Sequence, residues 1–303
     1  MSTRTQSRFL DLRALAALEH LRFTTRQRIE GTYSGRHQSR QQGGAGEFVD
    51  YREYSGGEDL RRLDWKVLAR TGKAFVRIYQ DETNLPCTLA LDASGSMAFG
   101  ENGRKHGAGS KIEYAQYLAT AFSHVISRAQ DQVGLAIMDE TLREFMAPHA
   151  TPTHVTRLQD LIEAMVTRPA RHMADALRML FERSSRRGVL MVISDFLMDD
   201  LERVFAALRL FRHQGWEVIV LHLVHPGEER LPDGVAFRFD GMENDGSVFC
   251  SPADIRAEYQ RRFQSHLSVI RQFALAGGYD YRLVSTAVSY IRTLQGFLVE
   301  RAG

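Results

Sequence analysis

Short apolar runs alternate with longer stretches of helical periodicity over most of this chain, and that alternation restricts the possible folds more than any other feature. The runs cover residues 88–91, 133–138, 142–146, 189–193, 217–223 and 280–284. Between them, helical spacing predicts helices over 111–129, in parts of 154–183, over 200–213 and 252–276, and in a closing segment. In 111–129, Ala115, Leu118, Ala119, Phe122, Val125, Ile126 and Ala129 recur at three- and four-residue intervals, so one face of that helix must meet the sheet. Strand followed by helix, repeated, builds an open sheet. Parallel neighbours need a crossover and hide both faces, so the expectation is a doubly wound, mostly parallel α/β sheet with helices on both sides. A small hairpin is expected around 235–250, and Gly277-Gly278 reads as a helix stop.

The first third departs from this rhythm. Leu12, Leu15 and Leu18 suggest an amphipathic helix over 10–30, and a stretch rich in Gly, Ser, Arg and Gln over 31–46 reads as a loop without the spacing or lysine of a phosphate-binding loop. Residues 47–82 are dense in charge and aromatics, with a strand at 74–80. The expected division is an N-terminal helical and β extension over 1–82 and the α/β domain over 83–303.

Composition narrows the function classes. With 39 basic and 37 acidic side chains, the net charge of +2 gives no general pull toward nucleic acid or membrane. Arg52, Arg61, Arg62, Lys66, Arg70, Lys73 and Arg77, with Tyr51, Tyr54 and Trp65 among them, are interleaved with Glu53, Glu58, Asp59 and Asp64. That mixture fits internal ion pairing better than a nucleic-acid surface. Cys87 and Cys250 are the whole cysteine content, which fits a reducing compartment and a cytoplasmic protein. No apolar run approaches the roughly 18 residues of a membrane span, and the first residues lack a leader's apolar core. Met173, Met179 and Met191 read as core, and His222 and His225 as ordinary histidines rather than a metal pair.

In an open parallel sheet, ligands sit beyond the carboxyl ends of the strands, where neighbouring connections diverge. The first strand of the domain runs into Leu91-Asp92-Ala93-Ser94-Gly95-Ser96-Met97, and another ends in Ile193-Ser194-Asp195. Two carboxylates and two hydroxyls make an oxygen-only donor set that suits a hard cation such as Mg²⁺. A plain capped turn, in which the hydroxyls satisfy backbone donors, is the competing account of Asp92, Ser94 and Ser96, and helix capping is that of Asp195.

Asp92-Ala-Ser-Gly-Ser resembles the Asp-x-Ser-x-Ser element of the metal-ion-dependent adhesion site (MIDAS) of von Willebrand factor A domains. Upstream, Gly46-Glu-Phe-Val-Asp-Tyr-Arg-Glu-Tyr54 and Asp64-Trp-Lys-Val-Leu-Ala-Arg-Thr-Gly-Lys-Ala-Phe-Val-Arg77 resemble the signature of an uncharacterised bacterial family, domain of unknown function number fifty-eight. The matches span roughly 35 to 195. The resemblance implies a von Willebrand factor A-like fold in which Ser94 and Ser96 ligate Mg²⁺ or Mn²⁺ directly, and Asp92 and Asp195 do so directly or through water. It also implies a non-enzymatic module that accepts a partner's carboxylate at the metal, the partner being a MoxR-type AAA+ ATPase concerned with protein assembly or activation. A-domain sites also use a threonine from a further loop. Residues 168–177 have none, so Thr167, His172 or water would substitute, or the chain is a scaffold that has lost the metal.

The rival reading is a Mg²⁺-dependent hydrolase or phosphotransferase using the same crevice, with Lys111 assisting. Ser94 stands where a phosphoaspartate enzyme would carry its second carboxylate, and no nucleophile elbow, His-Glu-x-x-His helix or Walker A loop is present.

Overall fold

The structure, a computed structural model, describes residues 7–25, 47–55, 63–80, 86–101, 109–185 and 187–302. The chain divides into two compact units, one of residues 27–84 and one of 1–26 with 85–303. The first residues thus contribute α1 (Leu12–Ala16) to the larger unit instead of joining 27–84. In the smaller unit, β1 (Glu47–Glu53) precedes α2 (Trp65–Thr71) and pairs antiparallel with β2 (Phe75–Gln80). Asp64 starts α2 by accepting the backbone N–H groups of Lys66 (3.0 Å) and Val67 (3.2 Å), and Tyr51 donates its hydroxyl to the same carboxylate. Gly72 closes the helix at φ +72°, a left-handed position that suits glycine. The loop expected over 31–46, and Glu58, Asp59, Arg61 and Arg62, lie outside the described residues.

The larger unit alternates as the sequence predicts. In order it holds β3 (Pro86–Asp92), α3 (Lys111–Arg128), β4 (Gln132–Met138), β5 (Leu142–His149), α4 (Pro152–Glu163), α5 (Ala174–Arg183) and β6 (Val189–Ser194). There follow α6 (Leu201–His213), β7 (Glu217–Val224), the single turn α7 (Pro226–Glu229), the hairpin strands β8 (Phe237–Asp240) and β9 (Ser247–Cys250), α8 (Pro252–Ala276), β10 (Asp280–Ser285) and α9 (Tyr290–Ala302). Six strands form one sheet in the order β10-β7-β6-β3-β4-β5, parallel except for β5 at the edge. This is a doubly wound, mostly parallel α/β sheet with helices on both faces.

Alternation along each strand feeds two cores. Leu89 and Leu91 of β3, with Met191 and Ile193 of β6, pack with α3, α4 and α9 on one side. Ala90, Leu190 and Val192 pack with α5, α6 and α8 on the other. The α3 connection leaves β3 over one face and the α6 connection leaves β6 over the opposite face. Because β3 and β6 are neighbours, a crevice opens beyond their carboxyl ends.

The N-terminal segment differs from the long helix expected over 10–30. Its helix stops at Ala16, and the chain continues as turns and irregular backbone through Thr25. The carbonyls of Leu18 and Leu21 accept from the Arg128 guanidinium (3.3 and 2.9 Å), and Thr24 exchanges hydrogen bonds with Arg301 (2.7 and 2.8 Å). Those tertiary partners replace further helical turns while Phe9, Leu15, Leu18, Leu21 and Phe23 stay buried. Met173 and Met191 are core, but Met179 is 36% exposed on the outer side of α5. After α8, the left-handed position belongs to Gly278 (φ +67°), with Gly277 still helical.

Candidate functional site

The predicted oxygen-bearing side chains meet in the crevice between β3 and β6. Asp92, Ser94, Ser96 and Asp195 are all buried, as is Ser194. Asp92 receives the backbone N–H of Ser94 on Oδ1 (2.8 Å) and the hydroxyl of Ser194 on Oδ2. Ser94 Oγ and Ser96 Oγ lie 3.1 Å apart, and the Ser94 side chain does not cap the short turn Gly95–Ala98 that contains Ser96. The Ser94 hydroxyl is directed at Asp92 and that of Ser96 at Asp195.

Asp195 does not cap α6. Its Oδ1 accepts the N–H of Leu197 (3.0 Å), and its Oδ2 lies 2.6 Å from the Lys111 ammonium. Lys111 is the first residue of α3 and fully buried, and its ammonium also pairs with Glu228 of α7. Glu228 is fixed by accepting the N–H of His225 (2.8 Å). The position before α6, Asp200, instead receives the N–H groups of Met173 (3.3 Å) and Ala174 (3.2 Å), steadying the start of α5.

Burial and the neighbouring charge of Asp195 push the Asp92 carboxyl up to about 7, against the hydrogen bonds from Ser194 and Ser94. Burial also acts to raise Asp195. Lys111, together with hydrogen bonds from Leu197 and Ser96, outweighs it and holds that carboxyl below its ordinary value. Lys111 is the mirror case, with burial opposed and overcome by Asp195 and Glu228, so its ammonium is held above the usual range. Two adjacent buried carboxylates, one satisfied by an ammonium and one left reluctant to ionise, form a place where a further positive charge is favoured.

Beside Asp92 and Ser94 lies a cavity of about 10 Å³, also lined by Asp139, Ala170, His172, Met173 and Met198. Roughly one water-sized sphere fits such a space. His172 reaches this cavity and Thr167 does not line it. Among the described residues no three His, Cys, Asp or Glu side chains are grouped to hold a metal, so the serine hydroxyls must complete any such set. The all-oxygen donor set is of the kind a hard divalent cation takes, and the small space beside it is lined by Asp92, Ser94 and Asp139 but not by Ser96 or Asp195.

Sequence reasoning missed several participants. Asp139 follows directly on the apolar strand β4, the same signal that marked Asp92 and Asp195, and was legible. Ser194, Glu228 and Glu243 carry no local signal. Glu243, in the turn between β8 and β9, accepts the N–H of Ser96 on Oε1 (2.6 Å) and the N–H of Ala170 on Oε2. The loop bearing Ala170 is laid against the Asp92 loop by a short parallel bridge, with the N–H of Arg168 donating to the carbonyl of Ala93 at 2.9 Å.

Uncharacterized proteins of Mycobacterium tuberculosis and Mycobacterium bovis are 29% identical over 231 residues, covering 74% of this chain and 69% of theirs. Among solved structures, the conserved hypothetical protein BatB from Bacteroides thetaiotaomicron aligns with a TM-score of 0.45 and 15% identity over 71% of this chain and 98% of that one. An aerotolerance-related membrane protein from Bacteroides fragilis aligns at 0.40 and 16%, over 71% and 96%. In this chain, no helix among the described residues is long and apolar enough to cross a membrane. The family described as "Protein of unknown function DUF58" matches residues 50–269, and the chain belongs to that family.

Proposed function

We propose that this chain is a non-catalytic protein-interaction module that grips a carboxylate of its partner through a divalent cation, Mg²⁺ or Mn²⁺, and that the partner is a MoxR-type AAA+ ATPase acting in protein assembly or activation. The observation that carries the reading is the convergence of Asp92, Ser94, Ser96 and Asp195, from two neighbouring strand ends, on one buried crevice. Ser94 and Ser96 would hold the cation directly, with Asp92 and Asp195 balancing its charge. Once bound, the cation supplies an open coordination position for a carboxylate oxygen.

The placement of Lys111 weighs against the hydrolase or phosphotransferase alternative. Its ammonium is fully buried between Asp195 and Glu228 and offers no exposed surface to a transferred phosphoryl group. The same ammonium favours one second reading, a scaffold in which Lys111 has become the resident cation. A cytoplasmic location accords with Cys87 and Cys250 both being free thiols.

The test is binding of a purified MoxR-type ATPase to wild-type protein and to Asp92→Ala, each with Mg²⁺ and with chelator. The interaction reading expects binding by wild type with Mg²⁺ alone. Equal binding in all four conditions supports the lysine-filled scaffold, and no binding in any of them removes the ATPase from the proposal.

A further inference from the structure

The mouth of this crevice is already occupied by a carboxylate from the same chain. The N–H groups of Ser96 and Ala170, from two different loops, each donate to one oxygen of Glu243. Paired N–H donors of this kind make a fitted seat for a carboxylate. The turn that delivers it is tightly shaped. Asn244 (φ +61°) and Gly246 (φ +82°) adopt left-handed conformations, and the N–H of Gly241 closes on the carbonyl of Gly246 at 2.7 Å.

The receiving surface is equally shaped. A Cβ on Gly95 would meet the Met242 carbonyl oxygen at 2.2 Å and Glu243 Oε2 at 2.8 Å, so only a glycine lets the turn sit flush. Two residues after Glu243, Asp245 pairs with Arg171 at the rim. Away from this tip, among the described residues, the strands β8 and β9 pair only with each other as a two-stranded sheet and are largely exposed, Val248 at 61% and Phe249 at 74%. An arm so lightly attached is held at its tip by the groups that a ligand would use.

We infer that the turn at residues 241–246 is an internal ligand of the crevice, and that the partner engages by presenting its own acidic turn, a glutamate followed two residues later by a second acid, in place of Glu243 and Asp245. This rests on the interaction reading above. It adds the chemistry of the ligand, an acidic turn, and a step in which the arm must first lift. Apparent affinity for an outside ligand then falls by the fraction of molecules with the mouth open.

The test uses a fluorescent cyclic peptide carrying residues 239–248, titrated into the full chain as wild type, Glu243→Ala and Glu243→Gln, with Mg²⁺ and with chelator. Amide exchange at Ser96 and Ala170 is followed in the same samples. If the mouth is closed in about nine molecules of ten, Glu243→Ala binds the peptide roughly tenfold more tightly than wild type. Glu243→Gln, which keeps the shape and loses the charge, gains in the same direction. Both amides exchange faster in the variants and are protected again by the peptide, whereas a peptide with Gln at its Glu243 position does not bind.

Equal affinity of wild type and Glu243→Ala, absence of peptide binding by Glu243→Ala, or unchanged exchange at both amides would overturn the inference. The two ideas fail separately. A gain in affinity that is the same with Mg²⁺ and with chelator supports the internal ligand and removes the cation. No gain, alongside Mg²⁺ binding that depends on Asp92, removes the internal ligand alone.

Discussion

Lys111 shows how much of this site is set by one buried charge. Its ammonium is fully enclosed and satisfies Asp195 and Glu228 together, so truncating it strands the buried carboxylate of Asp195 and the partly buried one of Glu228. Breaking such an arrangement from one side costs about 3–5 kcal/mol, whereas removing both partners at once is far cheaper. Urea unfolding of Lys111→Met should therefore show a loss of about that size, and adding Asp195→Asn and Glu228→Gln should recover part of it. A loss under 1 kcal/mol for the single variant would mean that the ion pairs carry little of the local stability. At this scale the sequence announces a residue when the signal is local. Asp92 and Asp195 each terminate an apolar strand, and Ser94 and Ser96 follow within one short loop. Glu243 was invisible because its partner Ser96 lies 147 positions away, and nothing in the sequence around either residue encodes their meeting.

At the scale of elements, the strands and helices of the larger unit follow from periodicity because their apolar positions face one continuous core. The N-terminal segment does not, since Leu12, Leu15 and Leu18 are compatible with a long helix while Arg128 and Arg301 capture the carbonyls that such a helix would use. Nor did the sequence single out β1 and α2, whose charged and aromatic composition lacks a clear period. The captured N-terminal segment is an integral part of the core. Phe9 is fully buried and meets the Tyr117 ring edge-on, with centroids 4.8 Å apart. Phe9→Ala should cost about 3–5 kcal/mol of unfolding free energy, the usual penalty for emptying a buried aromatic site. Chemical denaturation measures it, and a change below 1 kcal/mol would place residues 7–25 outside the cooperative unit.

For the molecule as a whole, buried titratable groups tie stability to pH. His222 lies on β7 with its ring nitrogen 3.0 Å from the Tyr281 hydroxyl, and burial drives its pKa down to about 3, outweighing the attraction of Asp195. The unfolded chain therefore binds a proton near the ordinary value of 6.5 that the folded chain refuses. Stability from the neutral ring is present above pH 6.5 and is lost as pH falls from there toward 3, by a few kcal/mol in order of magnitude. In chelator-containing buffers, His222→Gln should flatten this part of the stability curve, and an unchanged slope would remove His222 as its cause. The overall architecture was legible because alternating strand and helix allow few folds, while the closing of the crevice by the β8–β9 turn depends on tertiary placement alone. The central claim, that the strand-end oxygens hold a hard cation, is tested most directly by calorimetric titration of wild type and Asp92→Ala with Mg²⁺ and Mn²⁺. The account predicts saturable heat from wild type and none from the variant, with both proteins folded; equal heats from the two, or none from either, would contradict it.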